Sequence, residues 1–203
     1  MLALIPLWPA TWAATIEADT LIAKLARPAP ASIAFTEVRV SPLLREPLVV
    51  SGELEFAGPA SLDRHVREPY REDTSIRGES VRVEREGEPP RSFALKRAPE
   101  LRGLLTGFSA LLTGDVPGLK RSFDVQAQGS DESWTLQLTP LDSRARRRLQ
   151  KIEITGHDSM PRCFSLRNAD GGASVMVLGD AASGVAKNAT LESLKELCQG
   201  RGA

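Results

Sequence analysis

The stretch Leu48-Val49-Val50-Ser51-Gly52-Glu53-Leu54-Glu55-Phe56 decides the fold. Leu48, Val50, Leu54 and Phe56 share one parity and Val49, Ser51, Glu53 and Glu55 the other. That is the period of a half-buried antiparallel strand, with one face on an apolar core and the other in water. The alternation recurs at Val81/Val83, Phe93/Leu95, Phe123/Val125, Trp134/Leu136/Leu138, Ile152/Ile154 and Phe164/Leu166. Turn-prone clusters separate the runs: Gly58-Pro59, Glu86 to Pro90, Gly129-Ser130-Asp131 and Asn168 to Gly172. Many short strands joined by hairpins make a curved sheet or a barrel.

Three segments break that rhythm. Ala18, Leu21, Ile22 and Leu25 recur at helical spacing, so Thr15 to Leu25 reads as a short amphipathic helix stopped by Pro28 and Pro30. Glu100 to Gly114 sets Leu101, Leu104, Leu105, Phe108, Leu111 and Leu112 on one helical face between two strands. Thr190 to Gln199 reads as a closing helix. A meandering sheet needs its concave face covered, and the first two helices are the available covers.

The chain has 203 residues, 41% of them hydrophobic, with 26 basic and 26 acidic side chains and no net charge. That amount of chain suits one domain, and its neutrality excludes a general nucleic-acid binder. Two His and two Cys are too few for a Cys/His zinc site, and no acyl-, phosphoryl- or hydride-transfer signature occurs. No cofactor is expected. His65 near Asp63 and Glu68 reads as part of a solvated polar loop rather than a catalytic pair, and His157 beside Asp158, after a strand end, reads the same way. The basic run Arg144, Arg146, Arg147 and Arg148 reads as a charged hairpin turn protecting a sheet edge, with a docking patch for an acidic partner or lipid headgroup as the alternative.

Residues 1–13 are uncharged and apolar, interrupted by Pro6 and Pro9, and too short to span a bilayer. They read as a signal-peptide remnant with Thr11 and Ala13 at the cleavage positions, which leaves residues 14–203 as one domain in the periplasm. The basic leader is missing, so an apolar N-terminal arm of a cytoplasmic protein is the other reading. Cys163 and Cys198 stand 35 residues apart. In an exported chain they suit a disulfide, and otherwise they are two unrelated buried thiols.

Several short motifs resemble the outer-membrane lipoprotein carriers of the LolA-like family. Phe35-Thr36-Glu37 is similar to the family's F-T-Q, and Gly52 to Phe56 followed by Pro59 and Leu62 to its G-x-L-x-x-x-x-P-x-x-F block. Pro69 falls where the family has another Pro. Trp134 to Pro140 and Leu149 to Ile154 resemble two later strands, so the likeness spans roughly residues 15–180. It implies a mainly β fold: an incomplete, strongly curved antiparallel half-barrel, its concave face covered by a few helices. It also implies an apolar cavity for acyl chains, no catalysis, and transfer between inner- and outer-membrane partners without stable membrane insertion.

The candidate cavity residues are Leu48, Val50, Leu54, Phe56, Val81, Val83, Phe93, Leu95, Trp134, Leu136 and Leu138 on strands, with Leu104, Leu105, Phe108, Leu111 and Leu112 on the inserted helix. The family block adds Leu62. A filled core has the same period as a lined cavity, and only the resemblance favours the cavity. One departure matters: the family's lid-holding Arg before the Pro is Gly58 here, and its Phe is Leu62. Its lid lock therefore does not carry over, and the cargo is an acylated lipoprotein or another lipid. The alternative is a non-catalytic interaction module of an envelope, aryl-polyene or glycolipid system that holds no ligand. An acyl-handling enzyme would need a nucleophile in the cavity, for which Ser109 is the candidate.

Overall fold

A computed structural model describes residues 16–199. The signal-peptide reading of residues 1–13, and Thr15 of the first helix, lie outside the described residues. Eleven strands form one antiparallel sheet that does not close. They are β1 (Ala31–Val40), β2 (Leu48–Gly58), β3 (Ser61–Glu68), β4 (Glu72–Arg77), β5 (Ser80–Arg85), β6 (Arg91–Ala94), β7 (Phe123–Gly129), β8 (Trp134–Pro140), β9 (Leu149–His157), β10 (Met160–Asn168) and β11 (Ala173–Leu178). The helices are α1 (Ala18–Leu25), α2 (Pro99–Thr113), α3 (Val116–Ser122), α4 (Ser143–Arg146) and α5 (Leu191–Cys198).

The spatial order is β6-β5-β4-β3-β2-β1-β11-β10-β9-β8-β7. Strand β1 pairs with β2 on one side and with β11 on the other. The two open edges, β6 and β7, are consecutive in sequence, so the segment between them has to cross the opening. That segment contains α2 and α3. On β2, Val50, Leu54 and Phe56 are buried while Glu53 and Glu55 face water. The interior joins α1 through Leu21, Ile22 and Leu25 and α2 through Leu104, Leu105, Phe108 and Leu111.

Local chemistry explains the helix ends. Pro99 sits in the first turn of α2, and Gly114 ends it in the left-handed conformation at φ 69°. Asp115 caps α3 by accepting from the Gly118 N–H at 2.9 Å. A reciprocal Thr190/Ser193 capping box starts α5. Helix α5 packs on the convex side, against Val38, Cys163 and Val177, with Ala189 and Leu194 in the same cluster. There Cys163 and Cys198 form a disulfide with their Cα atoms 5.5 Å apart.

Two glycines are required by close approach. At Gly52 the β2–β3 register shifts, and an added Cβ would lie 1.8 Å from the His65 carbonyl oxygen. At Gly107 an added Cβ would lie 2.9 Å from the Phe164 ring, with Gly103 one turn away facing Ile152 at the same distance. This small-residue stripe lets α2 sit low over β9 and β10, where the Phe108 and Phe164 rings lie 5.3 Å apart.

Several expectations need correction. His65 lies on β3, not in a loop, and its Nδ1 is 2.6 Å from Asp73 on β4. Asp63 bonds Arg77 instead of His65. Both belong to a charged cross-strand ladder on the outer face. Leu95 ends its strand run early and starts a 3-10 turn, Leu95–Arg97. The arginine run is exposed and surrounds α4, between β8 and β9. Neither is an edge strand, so no sheet edge is protected there.

Replacing Gly52 by Ala should lower the unfolding free energy by about 3 kcal/mol, because the clash is with backbone that cannot rotate away. Gly184→Ala, where a methyl meets nothing within 4 Å, should stay within about 0.5 kcal/mol in the same urea titration. Replacing Cys163 and Cys198 together by Ala should cost about 3–4 kcal/mol from the lost 35-residue loop constraint, read in the same way.

Candidate functional site

Helix α2 leans toward β9 and β10, and the space it leaves on the side of β1, β2 and β3 is a cavity of about 390 Å3. Ile33, Leu54, Phe56 and Leu62 form the sheet wall, and Phe108, Leu111 and Leu112 of α2 the roof. Leu25, Pro28 and Ala31, from the α1–β1 connection, close one side of the mouth, and Met160 and Pro161 of the β9–β10 hairpin the other. Three polar residues reach it: Arg27, Ser32 and Ser159. The size falls in the range of about 300–1,000 Å3 usual for sites that enclose a small ligand.

The mouth is tied by one residue. The Arg27 backbone N–H donates to the Leu112 carbonyl at 2.9 Å, joining the connection to the end of α2. Its guanidinium donates to the Ser159 hydroxyl at 3.0 Å and carbonyl at 3.2 Å, across to the hairpin. The hairpin is itself held in place: the Trp134 indole N–H donates to the Asp158 carbonyl at 2.8 Å, and the Trp134 ring lies against Gly156. At the end of β2, where the family's Arg was expected, Gly58 offers no side chain, and the contact spanning the mouth comes from Arg27 instead.

Of the candidate residues, Leu54, Phe56, Leu62, Phe108, Leu111 and Leu112 line the cavity. Val50, Val81, Leu95, Leu104, Leu105, Trp134, Leu136 and Leu138 are buried in the packed interior, and Leu48, Val83 and Phe93 are half-buried against it. Ser109 does not reach the cavity: it faces a separate polar cleft beside Glu79, Arg102 and Arg121. The sequence reading missed Arg27, Pro28, Ile33, Ser159 and Met160. The paired prolines marked the connection as a helix stop, and nothing local shows that the chain next runs beside a hairpin 130 residues away.

At the other end of the concave face the interior is ionic. Glu37, 2% exposed, accepts from Arg64 at 2.7 Å and from Arg39 at 3.0 Å. Arg64, 7% exposed, also lies over the Phe35 ring at 5.0 Å and 3.7 Å from Glu72, which in turn binds Arg85 at 2.8 Å. Burial pushes the Glu37 carboxyl up, but the positive charges of Arg39 and Arg64 and their hydrogen bonds outweigh it and hold it below the ordinary Glu range. Among the described residues, no group of three His, Cys, Asp or Glu is placed to hold a metal. Nor is any helix among them long and apolar enough to cross a membrane.

The family model described as outer membrane lipoprotein carrier protein LolA-like matches residues 10–202. The chain belongs to the LolA-like family. Comparison with curated proteins finds no match. Among solved structures, it is similar to the LolA superfamily protein NE2245 from Nitrosomonas europaea at 13% identity, covering 81% of this chain and 92% of that one, with a TM-score of 0.43. It is also similar to LprF from Mycobacterium bovis at 12% identity, covering 80% and 91%, with a TM-score of 0.33. The mainly β, unclosed sheet with its few helices is the architecture that the LolA-like resemblance implied. This LolA-like chain differs from the motif in holding its mouth from the α1–β1 connection.

Because the Glu37 pKa is lower folded than unfolded, its contribution is fully present above the ordinary Glu range and is lost as pH falls through the folded value. Arg64→Met should cost about 3–5 kcal/mol at neutral pH by stranding buried charge, and Glu37→Met/Arg64→Met should recover most of that loss. Urea unfolding at neutral pH and at about pH 3 should also show that the double variant lacks part of the native protein's acid sensitivity.

Proposed function

We propose that this LolA-like protein is a periplasmic carrier that takes acyl chains of a lipoprotein or another lipid into the cavity under α2 and ferries them toward the outer membrane. The observation that carries this reading is the cavity itself, walled by aliphatic and aromatic side chains from both sheet and helix. A close-packed core leaves no such space. Each buried methylene contributes about 0.8 kcal/mol, so apolar walls suffice to hold a chain.

Release follows from how α2 is seated. Its inner face is held by apolar contacts and small residues, with the mouth tied by the Arg27 contacts. A membrane partner that binds the open form better than the closed one shifts the balance toward release. The reading assigns residues 1–13 to export, with residues 14–203 the carrier domain. The Cys163–Cys198 bridge supports an oxidising compartment. No catalytic step is assigned, and Ser109 stands outside the cavity.

Native mass spectrometry of protein purified from periplasm, followed by solvent extraction, should find a discrete acylated species. Leu62→Trp, which fills the cavity from β3, should weaken uptake of a fluorescent fatty-acid probe by about tenfold or more while leaving the fold intact by circular dichroism. Protein that is repeatedly empty and takes up no probe would replace the carrier with an interaction module that holds no ligand.

A further inference from the structure

We infer that the ligand of this cavity is an anionic amphiphile, an acyl or alkyl chain that ends in a carboxylate or phosphate held by Arg27 at the mouth. The inference rests on the carrier reading and names the second of its two cargo classes, a lipid with a charged head, rather than a lipoprotein whose chains enter through neutral esters and amides.

The argument is one of charge in an otherwise carbon-lined space. Among the described residues lining the cavity, Arg27 is the only ionisable one. Its guanidinium contacts are neutral: the Lys24 and Ala26 carbonyls at 3.4 and 3.0 Å, and the Ser159 carbonyl and hydroxyl at 3.2 and 3.0 Å. The nearby carboxylates are engaged with other bases. Asp131 binds Lys24 at 2.7 Å, and Asp158 lies 3.2 Å from His157 Nδ1. Arg64, Arg77, Arg85 and Arg102 are paired with carboxylates, whereas Arg148 and Arg162, like Arg27, donate to backbone carbonyls, and of these Arg27 alone lines the apolar cavity.

The geometry separates the two parts of such a ligand. A chain lies between Leu54, Leu62 and Phe108 with its head at the rim, beside the exposed Met160. The guanidinium is exposed, and its planar donors match the two oxygens of a carboxylate or phosphate. The head takes over the donors that Ser159 now accepts from. Binding of the ligand would thereby free the hairpin from Arg27 while the Arg27 N–H stays on Leu112.

The test is displacement of the neutral probe N-phenyl-1-naphthylamine from the full chain by palmitate, hexadecyl phosphate and hexadecanol at neutral pH. Either anion should compete about tenfold or more better than the alcohol, the yield of a charge-assisted hydrogen bond. Preference between the anions distinguishes a free fatty acid from a phosphate-headed lipid. Arg27→Met should abolish the preference, so that palmitate and hexadecyl phosphate compete no better than hexadecanol, and Arg27→Lys should keep most of it. Equal competition by alcohol and anions, or equal weakening of all three ligands in Arg27→Met, would overturn the inference and leave Arg27 as a mouth tie alone. If the probe itself is not bound by the native protein, the cavity reading falls first and the inference with it.

Discussion

Strand β1 is hydrogen-bonded on both sides, and the rest of the architecture depends on that double pairing. It brings the first and last strands of the chain together at the middle of the sheet. The two free edges are then left to β6 and β7, which neighbour each other in sequence but stand at opposite ends of the sheet. Whatever links them must bridge the open side, and a fifteen-residue helix with one apolar face is the economical bridge. The lid is therefore a topological necessity as much as a packing preference.

Where the lid sits is settled by small residues. Gly103 and Gly107 draw α2 onto β9 and β10, and its larger side chains face the other half of the sheet without filling it. The unfilled half holds the cavity, while the opposite end of the same strands is filled by charge. Glu37, Arg64, Glu72 and Arg85 pair with one another where an ordinary core would hold leucine and valine. The concave face thus grades from an apolar cavity to an ionic base. Such a layer costs desolvation and adds little net stability, but it punishes any register in which one partner is missing.

That ionic base also explains which strands could be read from the sequence. β2, β8 and β9 alternate cleanly because their inner residues are apolar. β3 and β4 do not, because Arg64, Glu72 and Thr74 point inward, so the pattern reads as polar loop. In Phe35-Thr36-Glu37 the family's Gln has become Glu, and the likeness of that short motif is all that marked β1. The consequence, an inward carboxylate that needs Arg64 and Arg39, lies in no local motif. β11 hid for the opposite reason: α5 covers its outer face, so Val175 and Val177 are shielded as well as Met176. Helix α3 contains Pro117 and Gly118 and shows its nature only through the Asp115 cap. Leu54, Phe56, Phe108, Leu111 and Leu112 were legible because they lie on an alternating strand and a periodic helix, and Leu62 through the family block, whereas the mouth was not, because it is made by contact between distant connections.

The disulfide and the lid stand on opposite faces of the sheet. The bridge encloses β11 and α5 and fastens them to β10, so one arm of the double pairing at β1 is backed by a covalent bond. Helix α2 has no such backing. Local opening is therefore expected to cost least at α2, which faces inward, and most along the disulfide-backed spine. On the proposed carrier reading, exposing the interior would not require unzipping the sheet, so cargo exchange and global unfolding would draw on different parts of the same small protein.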